Sequence, residues 1–515
     1  MYLPFFPDFA MFSRKSVFVF LVVAFMVMSG YLLAAYGTYR IGFPLDDAWI
    51  HQTYARNLAL RGEWAFVPGK PSAGSTAPLW TVLLVPGYWL HLSPYAWAFV
   101  LGGLLLAGLA WLGQDVLRGL LPALPHSWHL AGGMVLLWEW HLVWAAASGM
   151  ETLLAAVWVL LALWWMYREV PCRWGLLGAF IGLGVWVRPD LVTLLGPAWW
   201  VMFWRDLRIA KKAGAGVATL RRIWKPAGQL MVGFVLVFVP YLLSNRLLAG
   251  AWWPNTFYAK QREYAALQAI PYFVRLGKEF LLPLVGGGAL LLPGFVYIVW
   301  RMGRQKHWEF FGGVLWFLGY LGLYAWRLPV TYQHGRYIMP AMPVFFVLGA
   351  AGMLDIVYRG GHTLWGRVLS RVWLLSLGVV LVLFYLLGGR AYGRDVAVIE
   401  SEMVAAARWV NANTPEGSLV AAHDIGALGY FGERDILDLA GLISPEVISF
   451  LRDEKRLAVH LDEAGAAYLV TFPGWYPHLT ACAQMVYRTD GVFSPQLGGE
   501  NMAVYRWRSA CVSDK

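Results

Sequence analysis

"SVFVFLVVAFMVMSGYLLAAYGTYRIGFPLDDAWIHQTYARNLALRGEW", residues 16–64, passes from an apolar run to a polar, aromatic segment within a few positions. The run 16–37 carries no charge and satisfies the need of a membrane-crossing helix for about 20 apolar residues. Arg14 and Lys15 stand just before it and no small-residue cleavage site follows. It therefore reads as an uncleaved first helix with a cytoplasmic start. Two adjacent carboxylates, Asp46 and Asp47, then stand where the hydrocarbon ends. The apolar part decides the fold class, and the paired carboxylates pose the functional question.

Working outward, twelve apolar runs recur between residues 16 and 388. The chain of 515 residues is 59% hydrophobic and only 14% charged, whereas a soluble protein carries about 25% charged residues. In lipid only helices or closed barrels satisfy their own backbone groups. The runs are continuous, not alternating, which excludes a barrel. The expected fold is a polytopic α-helical protein, multi-pass in the cell membrane.

The net charge of +11 is uneven: residues 1–388 hold 30 Lys and Arg against 14 Asp and Glu, and residues 389–515 hold 11 against 16. The basic excess belongs to the membrane part and sits in short loops. It reports topology, not nucleic-acid binding. Basic loops at 205–225, 301–306 and 359–371 are expected to be cytoplasmic, and 251–279 and 327–335 external. The last run, 372–388, then carries the chain out. An inside start and an outside end need an odd number of crossings, so one of the twelve runs fails to cross. The choice is 79–92, "LWTVLLVPGYWLHL", which is short and broken by Pro86-Gly87. About eleven transmembrane helices are expected. They form a module of residues 1–388 that includes a first external loop at 38–78.

Residues 389–515 read as a small extracytoplasmic α/β domain. "SLVAAH", "DILDLAG" and "AAYLVTF" have strand character, 396–412 has helical character, and helices at 445–451 and 454–464 separate the later strands. Such alternation favours parallel pairing. Cys482 and Cys511 fall in this domain and Cys172 in an expected cytoplasmic turn. An oxidising exterior favours an outer bridge; two free thiols are the other reading.

Asp46 and Asp47 admit two readings. One carboxylate can cap the helix that "DDAWIHQTYARNLAL" forms, which leaves the second redundant. Alternatively, one faces a cavity as a general base. Glu151 in "ASGMETLL" is either an ionisable group at a membrane face with a function or an exposed carboxylate favoured by a helix dipole. Arg188 in "VWVRPDLV" either pairs with Asp190 or joins a site. Lys260 in "WWPNTFYAK", and His334 and Arg336 in "YQHGRYIMP", each read singly as snorkelling cations. By the topology, all of these fall on one membrane face. His51 and Arg56, on the Asp47 helix, join them as candidates for binding substrate. Glu139, inside an apolar run beside His141, pairs internally and is given no role. One face with carboxylates and a ring of cations suits a phosphate-bearing lipid and a hydroxylic partner: cations stabilise a departing phosphate and a carboxylate takes the proton.

"DDAWIHQTYARNLALRGEWAFVPGKPSAGSTAPLWTVLL" (46–84) resembles the first-loop signature of membrane glycosyltransferases of the GT-C superfamily. It looks most like the arabinofuranosyltransferase-like branch. "SGMET", "RPD", "PNTFYAK" and "HGRYIMPAMP" follow in that order, and "HDIGALGYFGERDILDLAGLISPE" resembles the branch's external C-terminal domain. The resemblance covers most of the chain. It implies a polyprenyl-phosphate sugar donor, an envelope glycan, lipid or protein acceptor on the outer face, and inversion at the anomeric centre. It also implies that Asp46 or Asp47 is the base, and that Lys260, His334 and Arg336 contact phosphate or sugar. One departure, the small residues of "PSAGSTAPLW", leaves the sugar unassigned. No cofactor, metal site or nucleic-acid partner is expected: His51 with Asp47 makes two ligands, which is not a site. The competing reading is a transporter or flippase of a lipid-linked sugar. It calls for repeat symmetry and polar groups near the midplane, and no clear internal repeat is present in the sequence.

Overall fold

The computed structural model describes residues 14–168, 173–212, 218–360 and 363–508. Among the described residues five helices are long and apolar enough to cross a membrane: Lys15–Thr38, Pro94–Leu120, Trp224–Ala249, Tyr332–Gly360 and Leu364–Asn413. A sixth is added if Tyr272–Leu284 and Gly287–Arg304, bent by 103°, count as one span. Thr152–Tyr167 and Trp174–Val187 are shorter apolar helices. Fewer helices than apolar runs reach spanning length because several runs are cut. The run 79–92 becomes Pro78–Trp89, with Pro86 inside it. At 1.5 Å per residue it is about 18 Å long, against about 30 Å of hydrocarbon. The run 130–147 is two helices, His126–Trp138 and Trp140–Ala146, broken at Glu139. The Glu139 carboxylate accepts from the N–H groups of His141 (2.9 Å) and Leu142 (3.3 Å), and from His141 Nδ1 at 2.8 Å. It is a buried cap, and the internal partner expected for it is His141.

Glycine lets the bundle close. A Cβ at Gly178 would sit 2.0 Å from the carbonyl oxygen of Leu230, and one at Gly233 would sit 1.9 Å from that of Gly175. Helices Trp174–Val187 and Ala218–Ala249 thus meet backbone to backbone, as small residues allow in membranes. The Tyr332–Gly360 span is central, 89% of its apolar window being buried, whereas Lys15–Thr38 and Leu364–Asn413 lie outside it at 28% and 22%. The basic segment expected as a loop at 205–225 is carried largely on the ends of helices Leu195–Lys212 and Ala218–Ala249, with 213–217 outside the described residues.

The first loop opens with the helix Asp47–Arg61, which ends at Gly62 in a left-handed cap. A hairpin of β1 (Ala65–Val67) and β2 (Lys70–Pro71) follows, turning at Gly69 with φ 75°. In the C-terminal part, helix Leu364–Ser401 runs unbroken past residue 389 into Met403–Asn413. Five strands follow: β3 (Leu419–Ala422), β4 (Asp435–Asp438), β5 (Tyr468–Thr471), β6 (Gln484–Arg488) and β7 (Ala503–Arg506). The order is β4-β3-β5-β7-β6. β3 pairs parallel with β4 and β5, as the alternating pattern led one to expect. β7 adds antiparallel to β5 and β6, two strands that the sequence reading did not include. Strand alternation splits the sheet's burial. Val420, Ala422, Val470 and Val504 join the main core, and Ala421, Leu469, Ala503 and Tyr505 pack under helix Glu454–Ala464. Cys482 is disulfide-bonded; Cys511 and Cys172 lie outside the described residues.

Candidate active site

Asp47 is the first residue of the helix Asp47–Arg61, so its position is set by the helix start and not by loop wander. Its Oδ2 accepts from Arg336 (2.7 Å) and from Lys260 Nζ (3.2 Å). Lys260 comes from helix Asn255–Glu263. Arg336 follows a turn in which Gln333, His334 and Gly335 all have positive φ, at 54°, 59° and 69°. Left-handed non-glycine residues are costly and concentrate at functional sites; here the turn aims Arg336 inward. Tyr337 accepts from Arg336 through its hydroxyl at 3.1 Å, and its ring lies 5.5 Å below Lys260 Nζ. Burial alone would raise the pKa of Asp47, but the charges of Lys260 and Arg336 overcome it and hold the carboxyl well below the usual range. Burial likewise works against the Lys260 cation, and Asp47 and Tyr337 outweigh it, so its pKa is raised.

A second group lies across the same cavity. Gly149, at φ 72°, turns the chain so that Glu151 points back. Glu151 Oε2 is 3.5 Å from His51 Nε2, while His51 Nδ1 faces the hydroxyls of Ser75 (3.1 Å) and Thr81 (3.2 Å). Burial opposes the Glu151 charge, but His51 and then Arg188 lower its pKa. Arg188 donates to Asp190 Oδ2 (3.0 Å) and to the Tyr324 hydroxyl (2.8 Å). Asp190 also accepts from Tyr320 (2.5 Å) and from Tyr324. The Arg188–Asp190 pair weighed from the sequence thus exists, and it also lines the site. The cavity holds about 520 Å³, with Asp47, His51, Glu151, Arg188, Asp190, Lys260, Arg336 and Tyr337 around it and Trp253 and Trp326 in its wall. With Arg327, its lining carries four Lys or Arg side chains against three carboxylates.

Three expected site residues lie elsewhere. Asp46 does not line this cavity. It makes no side-chain bond to its own helix, so it is not the cap considered above. Its two oxygens accept instead from the N–H groups of Gly426 (2.7 Å) and Ala427 (2.8 Å) in the C-terminal domain. Burial, then the charge of Asp424, pushes its pKa up to about 8 against those two bonds. Arg56 is a correction: it donates to the carbonyls of Tyr430 (2.7 Å) and Gly429 (3.3 Å) and lies over the Tyr430 ring, so it docks the C-terminal domain. His334 is another. Its left-handed backbone turns the ring to Asp395 (2.8 Å), between Trp140 and Trp144, away from the cavity. His51 pairs with Glu151 and not with Asp47, the partner that helix spacing suggested. Tyr324 and Tyr337, which line the cavity, and Tyr320, which bonds Asp190, were missed, since nothing in the sequence marks a tyrosine as polar lining. Glu263, His423 and Asp424 were also missed, although Glu263 stands three residues after Lys260 and His423-Asp424 open a quoted motif. Among the described residues no group of three or more His, Cys, Asp or Glu could hold a metal ion.

The bundle, its carboxylate-bearing first loop and the C-terminal sheet define the class: the chain has the GT-C fold. It is similar to a crystal structure of ArnT from Cupriavidus metallidurans bound to undecaprenyl phosphate, with a TM-score of 0.60, 15% identity, and 98% of this chain and 100% of that chain covered. It is also similar to the oligosaccharyltransferase AglB from Archaeoglobus fulgidus in complex with an inhibitory peptide and a dolichol-phosphate. There the TM-score is 0.56 at 11% identity, over 90% of this chain and 70% of that chain. Neither likeness singles out the arabinofuranosyltransferase-like branch. Residues 394–505 match the model of a domain of unknown function, DUF8728. No curated protein sequence matches the chain.

Proposed function

We propose that this protein is an integral-membrane glycosyltransferase. It moves a sugar from a polyprenyl-phosphate donor to a hydroxyl of an envelope glycan, lipid or protein on the outer face. The reading rests on one observation above all: Asp47 lines the cavity with Lys260 and Arg336 on a single oxygen. It is supported by the fold of proteins whose structures hold undecaprenyl phosphate and dolichol-phosphate. The module of residues 1–388, its eleven crossings and the external placement of 389–515 belong to the same proposal.

The site then works by competition for cations. Without donor, Lys260 and Arg336 share Asp47 as their anionic partner, which leaves one positive charge in excess. A donor phosphate draws both cations to its own oxygens, and Asp47 becomes a stronger base because burial alone favours its protonated form. The acceptor oxygen attacks the anomeric carbon as the bond from that carbon to the phosphate oxygen breaks. The hydroxyl proton goes to Asp47, the electron pair leaves with polyprenyl phosphate, and Lys260 and Arg336 hold the new charge. One displacement inverts the centre. Arg188, fixed by Asp190 and Tyr324, and Glu151, fixed by His51, line the sugar end. Purified protein in nanodiscs, given polyprenyl-phosphate sugars, is expected to release polyprenyl phosphate, and Asp47→Asn to bind donor without turnover. Wild-type turnover by Asp47→Asn would remove Asp47 from the role of base.

A further inference from the structure

The helix Asn255–Glu263 has a second use. Thr256, Phe257 and Lys260 face the cavity, while Arg262 lines a separate cleft of about 630 Å³. Two helical residues differ by about 200°, so Lys260 and Arg262 leave opposite sides of one helix about 10 Å across. The helix is the wall between cavity and cleft. The other side of the cleft is built from the C-terminal domain, chiefly Phe450, Arg452, Lys455 and Arg456.

The cleft is electropositive once its acids are accounted for. Asp453 and Glu454 keep their charges while accepting from the N–H of Arg456 and from those of His478 (2.8 Å) and Leu479 (3.0 Å), and these two carboxylates stand against four cations, Arg262, Arg452, Lys455 and Arg456. Arg452 pairs with Glu263 at 3.1 Å. Arg262, Lys455 and Arg456 are exposed and have no carboxylate partner among the described residues. Arg456 lies 4.9 Å over the Phe450 ring, which holds its guanidinium in place without discharging it. The cleft is also rigidly referenced to the cavity, because Glu263 ties the wall helix to Arg452 and, at 3.3 Å, to His423.

Resting on the transferase reading, we propose that this cleft binds an acidic sugar of the acceptor glycan, one bearing a carboxylate or a phosphate. A hydroxyl one helix width further along the acceptor chain would then reach Asp47. Anionic lipid headgroups share the chemistry, but the observations favour the glycan: nothing about lipid binding requires the cations to be locked to the wall of the transfer cavity.

The test uses the full chain in phosphatidylcholine nanodiscs and a fluorescent tetragalacturonate as probe, with maltotetraose as the uncharged control. The triple variant Arg262→Gln, Lys455→Gln, Arg456→Gln is expected to weaken tetragalacturonate binding about tenfold or more, with maltotetraose unaffected. Raised salt should mimic it, since exposed charges are screened. Substitution at exposed positions should leave the melting temperature unchanged. Equal binding by variant and wild type overturns the proposal. So does loss of tetragalacturonate binding in phosphatidylglycerol nanodiscs, which would give the cleft to lipid. Binding is read without donor, so its failure leaves the transferase reading standing. Cleft-dependent binding by a protein that never turns over a lipid-phosphate sugar would sink the transferase reading alone.

Discussion

Asp46 and Asp47 are neighbours in sequence with separate tasks. Successive helical positions differ by about 100°, so the two side chains cannot serve one proton. Asp47 faces the cavity, and Asp46 reaches the backbone of residues 426 and 427. A Cβ at Gly426 would sit 2.0 Å from the Asp46 carbonyl oxygen, so this contact needs glycine. Both Asp46→Asn and Gly426→Ala should therefore slow transfer in folded protein by misplacing Asp47. Wild-type rates in both, measured beside unchanged melting curves, would end the positioning role. A second expectation concerns the cations. Lys260→Gln and Arg336→Gln each remove a charge-assisted bond of roughly 1.5–3 kcal/mol, so donor affinity should fall about tenfold or more. They also release Asp47 from a charge that lowers its pKa. The acidic limb of the rate profile should consequently move to higher pH; an unmoved limb with unchanged donor binding would contradict both roles.

At the scale of elements, helix Asn255–Glu263 is pinned to the C-terminal domain by His423 and Glu263. Burial opposes the His423 cation, but Glu263 outweighs it and raises its pKa above the ordinary 6.5. Burial opposes the Glu263 charge as well, and His423 then Arg452 lower its pKa below 4.5. The sign follows from linkage. The His423 contribution is complete below pH 6.5 and is lost as pH rises through the raised value. The Glu263 contribution is present above pH 4.5 and is lost as pH falls through the lowered one. Melting temperature should thus fall as pH rises past 6.5, and Glu263→Gln should flatten that fall. Identical slopes in the two proteins would show the pair to be idle. None of this was legible in the sequence, because His423 and Glu263 are 160 positions apart and an ion pair leaves no periodic trace.

For the whole molecule, the disulfide at Cys482 is the observation with the widest consequence. We expect its partner to be Cys511, closing a loop of about thirty residues and contributing roughly 3–4 kcal/mol on the chain-entropy account. Labelling of the unreduced, denatured protein should then modify Cys172 alone. Labelling of Cys511 would refute the pairing, and protection of Cys172 would refute its placement in a reducing compartment.

The sequence by itself determined a polytopic helical membrane protein, because apolar runs, basic segments and interrupting prolines act locally and leave their mark in order along the chain; the GT-C expectation came from its resemblance to that superfamily's motifs. It also singled out Asp46, Asp47, Glu151, Arg188, Lys260, His334 and Arg336 as lying at the same kind of junction, and five of these seven, all but Asp46 and His334, line one cavity. The three parallel strands were legible from their apolar runs and the helices between them, whereas β6 and β7, each ending in an arginine and paired antiparallel, stand outside that alternation. Only the tertiary structure decided which carboxylate meets the cations, that Arg56 docks a domain, and that His334 turns to Asp395. These are choices among partners remote in sequence. They are settled by which backbone groups and charges burial leaves unsatisfied, and that is known only once the chain has closed around them.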